Sequence, residues 1–341
     1  MDNIVQMIER WIAEKQIPGA VLDISQGSGF RFQKAFGGYR LSEQSEWKPL
    51  TLDSLFDAAS LTKVTATLPA AMLLVQQGKL ELEKPLRSYI PEFRHPQVTI
   101  RHLLQHSSGL AASLYDTARD VPREVMKEIF EQELEYEPGT RVLYSDLGFI
   151  LLGVTVERIT GIKLNEFVRR EIHLPLGMND TMFLPGASEL HRIAPTEPFK
   201  DGYVHGEVHD EKTYRMGGVT GSAGLFTTAS DLAVYGRSWL RQEDGLLSKR
   251  WRDECLSLPF HGRGLGWEIW HGQPSVPSCG SSWLMGSFGH TGFTGTSLWI
   301  DPQHELVVVL LTNAVHYGRG NPLRRFRPII HEAIYSSIIG G

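Results

Sequence analysis

The sequence predicts an α+β fold: one antiparallel sheet built from both chain ends and flanked by helices, with a mostly helical region inserted in its middle. Strand-like segments cluster near both termini, the stretch between them carries helical apolar spacing, and no repeat, low-complexity tract or linker separates the two. The sheet region takes residues 1–60 and 265–341 and the helical region 61–264, with the candidate active site between them.

Met1–Ile12 alternates apolar and charged residues at helical spacing and predicts an amphipathic surface helix. Ala20–Ile24 and Phe30–Phe36 read as a hairpin closed at Gly27-Ser28-Gly29. Helical patterns follow at 61–77, Ile100–His106, Arg123–Glu133, Asp146–Thr160 and Ala229–Arg241. Four C-terminal strands are expected at Gly266–His271, Phe288–Thr291, Thr296–Asp301 and Leu306–Thr312, separated by glycine-rich or Asp301-Pro302 turns. A last helix, Pro322–Ile338, closes the chain.

With 341 residues, 41% of them hydrophobic, the chain can bury a large core. A net charge of −5 with scattered lysines and arginines gives no electrostatic case for nucleic acid or an anionic membrane. The N-terminus lacks the basic start and unbroken apolar segment of a signal peptide, and the longest apolar runs are too short to span a bilayer, so a cytoplasmic protein is expected. Cys255 and Cys279 lack zinc-ligand spacing and read as free thiols. Nothing in the pattern sets an oligomeric state.

The chemistry is concentrated at Ser60-Leu61-Thr62-Lys63. A hydroxyl and an amine at i and i+3 share a helix face. Leu61, Val64, Leu68, Ala71, Met72 and Val75 continue that helix to a stop at Gly78, and place Ser60 at an N-terminus whose free N–H groups favour developing negative charge. A second copy, Ser45-Glu46-Trp47-Lys48, runs straight into Pro49 and has no helix to hold it together. Two later segments supply partners: Tyr144-Ser145-Asp146 before a helical pattern, and His290-Thr291-Gly292 on a strand.

With these three ordered motifs the chain resembles the serine β-lactamase and penicillin-binding protein superfamily, whose signatures are Ser-x-x-Lys, Ser/Tyr-x-Asn and Lys-Thr-Gly. The tyrosine points to the class C branch, with its DD-peptidases, D-aminopeptidases and β-lactamase-like esterases. Residues 56–63, 98–110 and 217–228 also look like segments of that branch, so the resemblance runs from about residue 15 to 315. It implies a β-lactamase/transpeptidase-like fold and acyl-enzyme chemistry without a cofactor. Ser60 is then the nucleophile, the Ser60 and Phe293 N–H groups the oxyanion hole, Lys63, Tyr144 or both the base, and Asp146, His290, Thr291 and Gly292 the substrate-binding set.

Two positions depart from the signatures. Asp146 replaces the usual Asn. Lys63 needs a large pKa drop to act as a base at pH 7, and a carboxylate nearby works against it, leaving Tyr144 as the preferred base. His290 replaces a lysine and removes a permanent cation that suits substrates with a free carboxylate. The expected activity is therefore hydrolysis of a small ester, amide or peptide, foremost by a β-lactamase-like esterase. A D-Ala-D-Ala carboxypeptidase, a peptidoglycan-fragment amidase, a β-lactamase and a non-catalytic penicillin-binding module are the alternatives.

Isolated readings of the same residues are structural: Ser60 as a helix cap, Tyr144 as a core tyrosine, Asp146 as an N-cap, His290 as a strand histidine. The i,i+4 pairs His102/His106 and His205/His209 suit two imidazoles on one helix face, but neither carries the Glu of His-Glu-x-x-His, so no metal site is expected. Val208-His209-Asp210-Glu211 is expected to border the substrate cleft.

Overall fold

A computed structural model describes residues 1–114, 119–241, 245–257, 260–272 and 277–340. Its main sheet joins the two chain ends. Near the N-terminus lie β1 (Gly19–Gln26), β2 (Phe30–Tyr39) and β3 (Lys48–Pro49), followed by the short β4 (Phe56–Asp57), β5 (Met182–Phe183), β6 (Pro198–Phe199), β7 (Gly202–Tyr203) and β8 (Leu225–Thr227). From the C-terminal part come β9 (Glu268–Ile269), β10 (Phe288–Thr291), β11 (Ser297–Asp301) and β12 (Leu306–Leu311). Seven strands form one sheet in the order β3-β2-β1-β12-β11-β10-β9. The β1–β12 pair, registered Val21 to Leu311, is antiparallel and closes the sheet between the termini.

Strand periodicity explains why this sheet lies inside the molecule. Val21, Val307, Val309 and Leu311 point into the core shared with the inserted helices, whereas Ala20, Leu22, Ile24, Leu306, Val308 and Leu310 point into a second core. There they meet Ile4, Ile8 and Trp11 of the first helix (Asp2–Ala13) and Ile330 and Ile334 of the last (Leu323–Ile339). A strand buried on both faces must be apolar throughout, as Leu306–Leu311 is.

The expected hairpin, the three long C-terminal strands and the closing helix all form, with ends shifted by a few residues. Other elements are shorter than their patterns. The strand expected over Gly266–His271 shrinks to Glu268–Ile269: Gly266 adopts φ +77°, and the Ile269 N–H turns to Gly262 O. Helix Ile100–Leu104 stops before His106, whose φ is +55°, and Arg123–Glu133 contracts to Val125–Glu131. Among the described residues no helix is long and apolar enough to cross a membrane.

Two features near Ser60 were not visible in the sequence. After Leu61 and Thr62 the helix loosens into a π turn over Lys63–Thr67 before regular winding resumes over Leu68–Gln76; such turns often mark functional sites. Ahead of Ser60, β4 pairs with β8, which also carries β5. This small sheet fixes the approach to Ser60, and Ala58 N–H continues it by donating to Leu225 O at 2.8 Å.

Candidate active site

Ser60 follows a strained corner. Ala59, a non-glycine residue, sits at φ +47°. The buried Asp57 carboxylate holds the corner, accepting from Ala59 N–H at 2.8 Å and from His209 N–H at 2.6 Å. Burial raises the Asp57 pKa.

β10 and its following turn are stapled to the same corner. Thr294 Oγ1 donates to Asp57 O at 2.8 Å and Thr296 Oγ1 to Ala58 O at 3.0 Å. Gly292 is required here, since a Cβ would lie 2.5 Å from Ala58 O and 2.1 Å from Thr296 Oγ1. The Ser60 and Phe293 N–H groups, brought together by this packing, donate no hydrogen bond within the described residues.

Lys63 is completely buried. Its Nζ donates to Ser60 Oγ at 3.0 Å, Asp146 Oδ1 at 2.8 Å and Ser222 O at 3.0 Å, which uses all three protons of an ammonium. Burial opposes the charge, but Asp146 first and Tyr144 next hold the Lys63 pKa above its ordinary value. The glycine-rich loop 217–224 supplies the Ser222 carbonyl. It is anchored by Thr67 Oγ1 to Gly221 O at 2.8 Å, and Gly221 leaves no space for a side chain, since a Cβ would lie 2.0 Å from Phe149 O.

Tyr144 and Asp146 are placed by the turn at residues 106–112. Leu143 N–H donates to His106 O, Ser145 N–H to His106 Nδ1 and Asp146 N–H to Ala112 O. Ser145, not Asp146, caps helix Asp146–Thr160, accepting from Gly148 N–H. The Asp146 carboxylate is thereby free to bridge Lys63 and Lys212, whose Nζ lies 3.4 Å from Oδ2. The Tyr144 ring lies 5.1 Å from Lys63 Nζ, 4.4 Å from the His106 ring and 5.7 Å from the His290 ring.

His290 is buried; its Nδ1–H donates to Thr291 O at 2.8 Å, and Nε2 has no partner. Burial, then Arg263, then Lys63 push its pKa well below the usual histidine value. It is therefore neutral, as the missing lysine implied. The cation reappears from another element. Arg263 places its guanidinium 5.4 Å from the Tyr144 ring centroid, with Nη1 buried and unpartnered.

A cleft of about 710 Å³ is lined by Ser60, Tyr144, Arg263, His290 and Thr291 together with Phe293, Arg319, Arg324 and Arg327. Among its described lining residues Glu268 is the one carboxylate. Behind Phe293, His209 stacks on its ring at 5.5 Å, and Arg319 pairs with Glu197 at 2.7 Å and with Glu211. The 208–211 segment thus stands one layer behind the cleft.

The two histidine pairs do not share helix faces. His106 lies beyond its helix, and His205 and His209 lie in loop, where they contact Leu190 O with Ile193 O and Glu197 respectively. Cys255 and Cys279 are free and buried. Arg263, Lys212 and Asp57 were missed by the sequence reading; the signals available were the Gly264-Leu265-Gly266 turn after Arg263 and the polar run His209-Asp210-Glu211 before Lys212.

A fold of this topology with Ser60, Lys63 and Tyr144 at one cleft defines the class of serine β-lactamases and penicillin-binding proteins, and comparison with known proteins agrees. The description of the β-lactamase family matches residues 4–329, and the chain belongs to that family. It is 31% identical to a putative D-alanyl-D-alanine carboxypeptidase of Escherichia coli K12, over 93% of this chain and 84% of the relative. It is 33% identical to an N-acetylmuramyl-L-alanine amidase of Bacillus subtilis 168, over 92% and 81%. In fold it is similar to the simvastatin synthase LovD of Aspergillus terreus, with a TM-score of 0.79, 20% identity and coverage of 100% and 99%. The protein is a serine hydrolase of the β-lactamase family.

Proposed function

We propose that the protein hydrolyses a small ester or amide through an acyl-Ser60 intermediate. The observation that carries this reading is Ser60 Oγ, 3.0 Å from a buried ammonium and packed beside two undonated N–H groups. Because Lys63 is held charged, Tyr144 is the base. As Ser60 Oγ attacks the carbonyl carbon its proton passes to Tyr144 Oη, while Lys63 supports the developing charge on Oγ. The carbonyl oxygen becomes an oxyanion held by the Ser60 and Phe293 N–H groups. Collapse expels the leaving group, which takes the proton back from Tyr144. A water molecule then gives a proton to Tyr144 and attacks the acyl ester; collapse breaks the ester bond, Tyr144 returns that proton to Ser60 Oγ, and the acid leaves with serine and base restored.

Neutral His290 supports an esterase acting on uncharged acyl groups. Arg263 supports a second reading, in which the substrate carries an anionic group beside the scissile bond, as in a D-alanyl peptide or a peptidoglycan fragment. The names of the two relatives favour the same chemistry.

Intact-mass spectrometry after exposure to p-nitrophenyl butyrate, a penicillin and a D-Ala-D-Ala peptide tests both. Rapid ester turnover without a lasting penicillin adduct supports the esterase, and faster peptide turnover supports the anionic substrate. A stable penicilloyl adduct without turnover points to a binding module. Ser60→Ala must abolish the adducts, and Tyr144→Phe must lose nearly all acylation by a fluorophosphonate; retention of either sinks the assignment.

A further inference from the structure

Asp146 brings a negative charge to a position where the family signature has a neutral amide, and the fold answers it with a residue far along the chain. Lys212 is buried; its Nζ lies 3.4 Å from Asp146 Oδ2 and 2.9 Å from Asp210 Oδ2. Lys63, Asp146, Lys212 and Asp210 therefore form a row of alternating charges that sums to zero. Asp210 is fixed independently, because its other oxygen accepts from Thr213 N–H at 2.8 Å as the N-cap of the short helix Glu211–Arg215.

We propose that Lys212 is a positioning residue for catalysis: by sharing the Asp146 carboxylate with Lys63, it sets how tightly the Lys63 ammonium is held beside Ser60 and the pH at which the centre becomes competent. Without Lys212, two carboxylates draw on a single ammonium and Asp146 is free to turn wholly toward Lys63. The charged and titratable groups facing this row are Tyr144 ahead of the Asp146 helix, His106 on the preceding turn, His290 on β10, Arg263 beside Tyr144 and, at the Asp210 end, the buried Asp57 carboxylate on β4. His106 and His290 are neutral, each held well below the usual histidine pKa first by burial. Lys212 is therefore the cation whose loss changes the balance around Asp146 most directly. Removing one positive charge makes a nearby proton harder to lose, whether it leaves Tyr144 or Lys63.

The inference rests on the acyl-Ser60 reading. The test is the pH profile of kcat/KM for p-nitrophenyl butyrate, measured on the full chain with thermal melting as a control on folding. Lys212→Met should move the acid limb up by about one pH unit, roughly a tenfold loss of rate on that limb. Asp146→Asn should move it down, and the double variant should return toward the wild-type position. Lys212→Arg, which keeps the charge, should hold the limb in place whatever it does to the plateau. A purely structural Lys212 lowers melting temperature and rate at every pH without moving the limb, and that result overturns the proposal. If Lys212→Met melts near room temperature, the Asp146→Asn limb decides: a downward shift supports the charge row, and an unmoved limb overturns it. Turnover surviving in Ser60→Ala overturns the acyl-enzyme reading itself, whereas Ser60-dependent turnover with an unmoved limb overturns only the role of Lys212.

Discussion

The carbonyl of Ala58 faces Gly292 so closely that a methyl group placed on Gly292 would lie 2.5 Å from it. The two N–H groups proposed as the oxyanion hole, at Ser60 and at Phe293, follow these segments, so their spacing is set by backbone against backbone. Gly292→Ala must open that gap. Turnover is expected to fall about 10²- to 10³-fold, the usual cost of one lost oxyanion donor, with KM changed far less. A variant with wild-type kcat would show that Phe293 N–H does not serve the reaction.

Asp57 carries a different load. Its carboxylate satisfies two buried N–H groups, from Ala59 and from His209, and so joins the Ser60 corner to the segment behind Phe293. Asp57→Ala leaves both donors without an acceptor, at about 1–3 kcal/mol each. Asp57→Asn keeps one acceptor oxygen and orphans one donor. Denaturant unfolding should therefore rank the proteins wild type, Asn, Ala in falling stability; equal stability of Asn and Ala would contradict the two-donor account.

Local pattern made part of this arrangement legible. Leu306–Leu311 and Phe288–Thr291 were readable because strand burial imposes its own spacing, and Ser60 with Lys63 because three residues of helix join them. The duplicate Ser45 has no helix joining it to Lys48: its Oγ accepts from Leu41 and Ser42 N–H in a turn, and Lys48 lies on β3. The π turn at Lys63 and the two-residue strand Phe56–Asp57 left no periodic trace, being too short for one. Arg263 and Lys212 reach the site only because separate loops fold back onto Tyr144 and Asp146, and a one-dimensional pattern does not encode that approach.

Arg263 yields a prediction about selectivity. With Nη1 buried and unpartnered beside Tyr144, it is a cation waiting for an anion in a cleft where His290 is neutral. Wild-type protein should prefer a p-nitrophenyl ester whose acyl chain ends in a carboxylate over the uncharged ester of equal length. Arg263→Met should cut that preference about tenfold or more, a charge-assisted hydrogen bond being worth about 1.5–3 kcal/mol, while sparing the uncharged ester. An unchanged ratio would remove Arg263 from substrate recognition.

Acid should destabilise this fold through histidines that touch no substrate. His173 and His331 are buried, and burial foremost pushes their pKa values down to about 4 and about 3. The unfolded chain takes up a proton at each near pH 6.5, but the folded chain does so only near those lower values. Between the two the unfolded state holds more protons, so stability is full above pH 6.5 and falls as the pH drops, by about 1.4 kcal/mol per unit for each histidine. The His173 contribution is isolated by His173→Gln, whose amide can donate to Thr65 O as Nε2–H does now at 3.1 Å. Urea unfolding between pH 6 and 4.5 should lose about 1.4 kcal/mol per unit of its pH slope in this variant. An unaltered slope would mean that His173 is already protonated in the folded protein.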